Sequence, residues 1–286
     1  MDNLKAKKRH PEEIAVYTAI YVCAAFSVLL LLGIIIYVFA KGARRVNWAF
    51  LTGVTSILHG TVGIAGNILN TLIIILLTMI ITTPIGVGAA IYLNEYAKPG
   101  KLVTVIIFAT ETLAGIPSII FGLFGMLFFG QLCQMGYSLL TGSLTLTLMV
   151  LPLVTRNTQE ALKTVPDSFR TGAVGLGAGK WYTIRTILLP SAMPGIVTGV
   201  ILAIGRIIGE SAALLFTAGS AHLLPKTFDA FLEKIFHSGG TLTIQLYLSA
   251  SKGEFEVAFG IAVVLLVIVL LINFGTKRLA KKLEKH

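Results

Sequence analysis

Polar residues are rare along most of this chain, and where they fall divides it into six apolar runs: 14–40, 68–92, 103–132, 138–154, 193–218 and 257–274. A helix crosses a bilayer with about 20 apolar residues, and most of the runs reach that length. The first holds 27 residues without a charge. That is too long for the apolar part of a cleavable leader, and no small-x-small site follows, so it is read as a retained span. Pro84 and Gly86 predict a kink in the second run, where Thr82 and Thr83 are expected to bond their own backbone. The third run carries Glu111 and Pro117, and the fifth carries Arg206 and Glu210. The pattern predicts an all-α integral membrane protein with six transmembrane helices, forming one transmembrane domain over residues 1–286. No internal repeat or soluble domain interrupts it.

The longest polar interruption, 156–192, separates the fourth and fifth runs. Asp167 or Ser168, after Pro166, is expected to cap a short helix reaching about Leu176. Gly177 and Gly179 make a turn, a second helix starts at Lys180, and Pro190 and Pro194 bend the chain into span five.

Composition agrees with the pattern. Hydrophobic residues make up 55% and charged residues 13%, against about 25% charged in soluble domains. The net charge of +10 is uneven. With the N-terminus inside, cytoplasmic segments carry 16 Lys and Arg and external loops 6, with Arg206 in the membrane. This bias places both termini in the cytoplasm of a multi-pass cell-membrane protein, although the basic cluster at 41–45 runs against it. No basic module interleaved with aromatics points to nucleic acid. Cys23 and Cys133 read as buried thiols, with no disulfide framework and no metal spacing. The five histidines, His10, His59, His222, His237 and His286, do not pair at ligand spacing.

"GLGAGKW" is not a phosphate-binding loop. The position five before Gly179 is Val174, and Trp181 follows Lys180 where a magnesium-binding hydroxyl is needed. A membrane chain with no energy-converting motif needs an ATPase partner, and the 156–192 loop is where one could attach. The alternative for the loop is an amphipathic hairpin lying on the membrane surface.

The same loop carries a resemblance to the permeases of ABC-class importers. Their EAA loop reads Glu-Ala-Ala, three residues, Gly, nine residues, Ile-x-Leu-Pro. Aligned on Gly177, the last three named positions are Ile187, Leu189 and Pro190, and the Glu-Ala-Ala positions are Thr171, Gly172 and Ala173. The family glutamate is therefore replaced by Thr171. "ETLAGIPSIIFGLFG", "GRIIGESAALLFTAG", "RNTQEALKTVPDSFR" and the ending "LTIQLYLSASKGEFEVAFGIAVVLLVIVLLINF" extend the resemblance over about 14–280 to the PstA-type permeases of phosphate importers. PstC-type permeases share several of these stretches.

The resemblance implies the type I importer permease fold. The loop would be a coupling helix docked on PstB-like ATPase subunits, beside a PstC-like second permease and a PstS-like external phosphate-binding protein. The external loops 44–63 and 221–256 would dock that binding protein. The substrate would be inorganic phosphate, with phosphonate, sulfate and molybdate as alternatives, and no cofactor is implied. A proton-driven transporter using Glu111 and Glu210 as relays would predict inverted repeats, which are not seen. A membrane enzyme would need a metal or nucleophile constellation, which is also missing.

The intramembrane charges are the candidate substrate path. Arg206 and Glu210 stand i, i+4, within ion-pair reach on one face of a continuous helix. Arg206 is 13 residues past Met193, or about 20 Å along a helix. Gly205 and Gly209 form a small-residue stripe beside it that permits close helix approach. Either the pair neutralises itself as a structural element, or Arg206 meets the phosphate anion and Glu210 holds it in place. Glu111 is expected to pair with Arg206 across helices, or to cap a helix broken near 115–117.

Overall fold

The computed structural model describes residues 11–56, 61–225 and 227–283. The basic stretch 5–10, His59, Lys226 and His286 lie outside them. Helix α1 (Pro11–Gly42) is followed by the short α2 (Trp48–Thr52), capped by the Asn47 side chain, which accepts from Phe50 N at 2.8 Å. A two-stranded antiparallel hairpin follows, β1 (Val54–Ser56) with β2 (Thr61–Ile64), pairing Val54 with Ile64. It departs from the all-helical expectation: each strand is too short to leave an alternation in the sequence.

Helix α3 (Ala65–Ile91) continues as a π-helical stretch, Tyr92–Tyr96. Next come α4 (Lys101–Gly115) and α5 (Ser118–Gly125), the latter extended by a π-helical stretch, Met126–Leu132. Helix α6 (Leu139–Lys163) starts at a Ser138 cap. Then follow α7 (Asp167–Gly175), α8 (Lys180–Thr183) and α9 (Leu189–Gly209). The chain closes with α10 (Ala212–Thr217), α11 (Phe228–Glu233), α12 (Leu242–Ser251) and α13 (Phe255–Leu283).

Five helical runs are long and apolar enough to cross a membrane, and the pair α4 and α5 makes a sixth if counted as one bent span. Helix α6 is the central post: 67% of its most apolar window is buried, against none of α1's. Leu146, Val150 and Val154 of α6 meet Ile74 of α3 and Ala203 and Ile207 of α9 in the main core. Lipid does not drive such helices together, so close packing and polar contacts must. Both are present. Gly86 brings α3 so near α6 that a Cβ there would lie 2.9 Å from Val154, and a Cβ on Gly199 of α9 would lie 2.7 Å from Asn157. Thr78, Thr141, Ser143, Thr145 and Thr147 are buried between helices, and Thr145 and Thr147 donate to carbonyls one turn back at 2.8 Å.

The ends are paired consistently. Gly42 at the end of α1 packs on the Phe259 backbone at the start of α13, so these helices run in opposite directions. The start of α1 and the end of α13 therefore lie at the end that carries α7, and the β-hairpin lies at the other.

Helix α3 runs unbroken through Pro84, and Gly86 lets it pack closely on α6. The Thr82 hydroxyl is buried without a partner among the described residues, instead of bonding its backbone. The third run is two helices bent by 104° at Ile116 and Pro117, which is the break offered as an alternative near 115–117. Cys23 and Cys133 are exposed on this chain, not buried.

Candidate functional site

Pro166 adopts the extended conformation that opens α7, and Asp167 places a carboxylate in the first turn, where the helix dipole favours it. The helix stops at Gly177, whose φ of +83° suits glycine. Gly177 N donates to Val174 O and Ala178 N to Ala173 O, both at 2.9 Å, which closes the helix end with a paired reverse turn. The expected stop is thus where the sequence placed it.

At the positions aligned with Glu-Ala-Ala, Thr171 and Gly172 are exposed and Ala173 is buried. The Thr171 hydroxyl donates back to Asp167 O at 3.2 Å, so it makes no outward ion pair. Ile187 and Leu189 are half-buried and Pro190 is exposed. Pro190 and Pro194 do not interrupt the entry into span five: residues Lys180–Gly209 form one helical run. A π-helical stretch, Ile184–Leu188, relaxes the ladder ahead of Pro190. Ser191 and Thr198 hydroxyls bond Ile187 O and Pro194 O at 2.7 and 2.9 Å.

Sequence reasoning missed what holds α7 in place. Arg170 donates from Nη2 to Glu95 Oε1 at 2.9 Å and to Leu162 O at 3.0 Å. From Nη1 it donates to Val165 O at 2.9 Å and Asp167 Oδ1 at 3.0 Å. The guanidinium thus adds strong donors to the carbonyls of the turn where α6 ends, Leu162 O also accepting from Val165 N at 3.4 Å. Its bond to Glu95 and that carboxylate's charge hold the Arg170 pKa above its already high ordinary value, against the opposing effect of burial. Arg170 counted only as one loop charge in the sequence, and Glu95 as one acid in "YLNEY". Nothing in the spacing joined them.

Beneath the clasp, Leu162, Val165, Ile184, Leu188 and Ile196 form a separate small core. Outward, Phe169, Val174, Leu176, Trp181 and Tyr182 are exposed, with Leu176 at 91%. Apolar side chains gathered beyond the end of a helix bundle mark a surface for another protein or for the membrane.

The intramembrane charges are arranged differently from expectation. Helix α9 ends at Gly209, and Glu210 is extended, with φ −84° and ψ 121°. The Glu210 carboxylate accepts from Ala213 N at 3.0 Å, at the start of α10, and its carbonyl accepts from Thr243 Oγ1 at 3.0 Å. Glu210 therefore fastens a break in span five and does not pair with Arg206. Arg206 is exposed on α9 and has no hydrogen-bond or ion-pair partner among the described residues. A Cβ on Gly205 or Gly209 would meet nothing within 4 Å among the described residues, so the stripe serves no close approach between them. Glu111 is exposed and far from this arrangement. It shares a cleft of about 210 Å³ at the α7 end with Arg156, Glu160 and Lys163.

The two broken spans meet. Gly122 of α5 packs on Ala213 of α10, where a Cβ would lie 2.8 Å from Ala213 Cα, and Gly125 abuts Thr145 of α6. Backbone irregular at membrane depth is tolerated where protein or a water-filled path surrounds it. At the hairpin end, Asn67 and Asn70 donate to Gly240 O and Ala221 O at 2.9 and 3.0 Å, holding the 221–256 segment on α3. Lys234 is buried there and donates to Leu223 O, and burial pushes its ammonium below the usual lysine range. Among the described residues, no group of three or more His, Cys, Asp and Glu gathers to hold a metal ion.

A family profile described as binding-protein-dependent transport system inner membrane component matches residues 82–286. The chain is 35% identical over 273 residues to the probable ABC transporter permease protein YqgI of Bacillus subtilis, covering 92% of this chain and 93% of that one. It is 34% identical over 242 residues to the phosphate transport system permease protein PstA of Xylella fastidiosa, covering 84% and 82%. Among solved structures, a bacterial alginate ABC transporter with its periplasmic protein superposes with a TM-score of 0.70 at 14% identity, covering 96% of each chain. The MetNI methionine ABC transporter superposes at 0.56 and 20%, covering 77% of this chain and 94% of that one. At these identities the structures establish the fold alone.

Proposed function

We propose, for a chain that belongs to the family of binding-protein-dependent transport system inner membrane components, that it is the PstA-type permease half of an ATP-driven importer of inorganic phosphate. The name borne by the Xylella relative supports the substrate. The observation that carries the mechanism is α7. A short helix clasped by Arg170 onto the ends of α3 and α6, with an apolar outer face, suits a lever between an ATPase and the spans. Hydrolysis is assigned to PstB-like partner subunits. A PstC-like permease completes the path and a PstS-like protein delivers phosphate at the hairpin end. The α7 end and both termini are cytoplasmic in this reading, supported by the excess of Lys and Arg at that end.

Arg206 is assigned to the path. A guanidinium with no internal counter-ion, on a lipid-depth helix, would be costly against hydrocarbon and suits a polar path shared with the second permease. It forks to two oxygens of an oxyanion. Glu210 positions the chain break beside it, and Glu111 lies nearer the inner mouth. Purifying the chain in detergent with its co-expressed partners and weighing the complex tests the assembly. Two permeases with two ATPase subunits is the expected mass, and a transport-competent complex lacking an ATPase would end this reading.

A further inference from the structure

We propose that the groove between α9 and α13 at the α7 end binds an anionic phospholipid. The groove encloses about 1150 Å³. Its walls are Ile201 and Leu202 of α9 and Phe274 of α13, and Asn273, Lys277 and Arg278 lie at one end. An occupant must therefore be apolar along most of its length and anionic at its tip.

The dimensions suit one lipid leaflet. From Pro194 to Gly205, the lining residues of α9 span 11 residues, or about 16 Å of helix, against about 15 Å for half a hydrocarbon core. A Cβ on Gly205 would meet nothing within 4 Å, so the groove floor stays open for a chain. Lys277 and Arg278 lie where the last apolar run ends, at headgroup depth. Neither has an acidic partner among the described residues. The Arg278 guanidinium lies 4.4 Å over the Phe274 ring, which holds its plane and leaves its edge free to fork to a phosphodiester.

The groove is not the substrate path. Arg206 lies one turn past Leu202, about 40° round α9 from it, and is not among the residues that line the groove. Free phosphate would meet donors only at the Asn273, Lys277 and Arg278 end and would leave Ile201, Leu202 and Phe274 uncovered, whereas acyl chains gain by covering them. The proposal holds whichever oxyanion the importer carries.

The test uses the assembled importer with phosphatidylglycerol as the probe. Native mass spectrometry reads retained lipid, and a diazirine-bearing phosphatidylglycerol maps the site. Label is expected on residues 194–205 and 270–278, with phosphatidylcholine labelling weakly. Two basic residues near a membrane surface together contribute about 25-fold in affinity. Lys277→Gln with Arg278→Gln should lower retention by that factor, while Lys277→Arg with Arg278→Lys should keep it. Unchanged retention in the neutral variant, equal labelling by phosphatidylcholine, displacement by millimolar inorganic phosphate, or cross-linking of these segments to a partner protein in place of lipid would each overturn the proposal.

Discussion

Arg170 and Glu95 lie 75 positions apart in sequence and meet at 2.9 Å, with Glu95 only 8% exposed. The pair joins α7 to the end of the α3 run, and the same guanidinium grips the end of α6 through Leu162 O. In the proposed coupling, a push on α7 would be passed to both of these spans.

Breaking that contact should loosen α7 without unfolding the bundle. Removing one partner of a buried pair costs about 3–5 kcal/mol, and the low end applies because Arg170 is 22% exposed. Glu95→Gln should speed amide exchange across 167–175 about 100-fold. Arg170→Lys should do nearly the same, because lysine cannot reach Glu95 and two carbonyls at once. Uptake should fall more than ATP hydrolysis. Exchange unchanged in both variants would show that the clasp does not hold the helix.

The turn after α7 gives a second expectation. A Cβ on Gly177 meets nothing within 4 Å, so any penalty there comes from its φ of +83°. Gly177→Ala should cost about 1–2 kcal/mol, and Gly177→Asn less, since asparagine tolerates that conformation. Uptake in proteoliposomes should rank glycine, asparagine, alanine, valine. Equal uptake across the series would show that the turn geometry is irrelevant to coupling.

How far the sequence could be read depends on what each signal encodes. Apolar runs gave α1 and α3 nearly to both ends and α6 and α13 at their starts, because length and hydropathy are local; α6 and α13 each continue nine residues further into polar sequence that hydropathy does not mark. Gly177 was legible as a helix stop for the same reason. Of the two breaks, the one near 115–117 was legible as an alternative and the one at Glu210 was not. Proline is an ambiguous mark here: α3, α6 and α9 run through Pro84, Pro152 and Pro194, while the chain turns by 104° beside Pro117. The break at Glu210 has no proline at all. Assuming continuity there made Arg206 and Glu210 look like partners. The contact of Arg170 with Glu95 was invisible because it is purely tertiary.

The unpaired Arg206 changes what its variants should do. Arg206→Gln should abolish phosphate uptake with membrane abundance near normal, and Arg206→Lys should restore it only in part. Glu210→Ala should lower stability by about 1 kcal/mol, the usual value of a lost helix cap. A double-mutant cycle on abundance should give a coupling below about 0.5 kcal/mol, as for independent sites. Strong coupling, with rescue of both abundance and uptake by the double neutral variant, would restore the ion-pair reading.

Close approach between the broken spans can be tested separately. Gly125→Ala would drive a methyl into Thr145 of α6, an overpacking that costs about 1–3 kcal/mol. Thr145→Ala should relieve most of it. Membrane abundance and melting temperature read both variants. Failure of Thr145→Ala to compensate would place the damage elsewhere in the packing of α5.

The most direct measurement is directional transport by the reconstituted importer. Proteoliposomes would hold this chain with its second permease and ATPase subunits. ATP is supplied on the α7 side, and labelled phosphate with its binding protein on the hairpin side. Vanadate-sensitive movement of phosphate toward the α7 side is expected, absent in Arg206→Gln. Phosphate movement driven by a proton gradient without ATP, or ATP acting only from the hairpin side, would contradict the account.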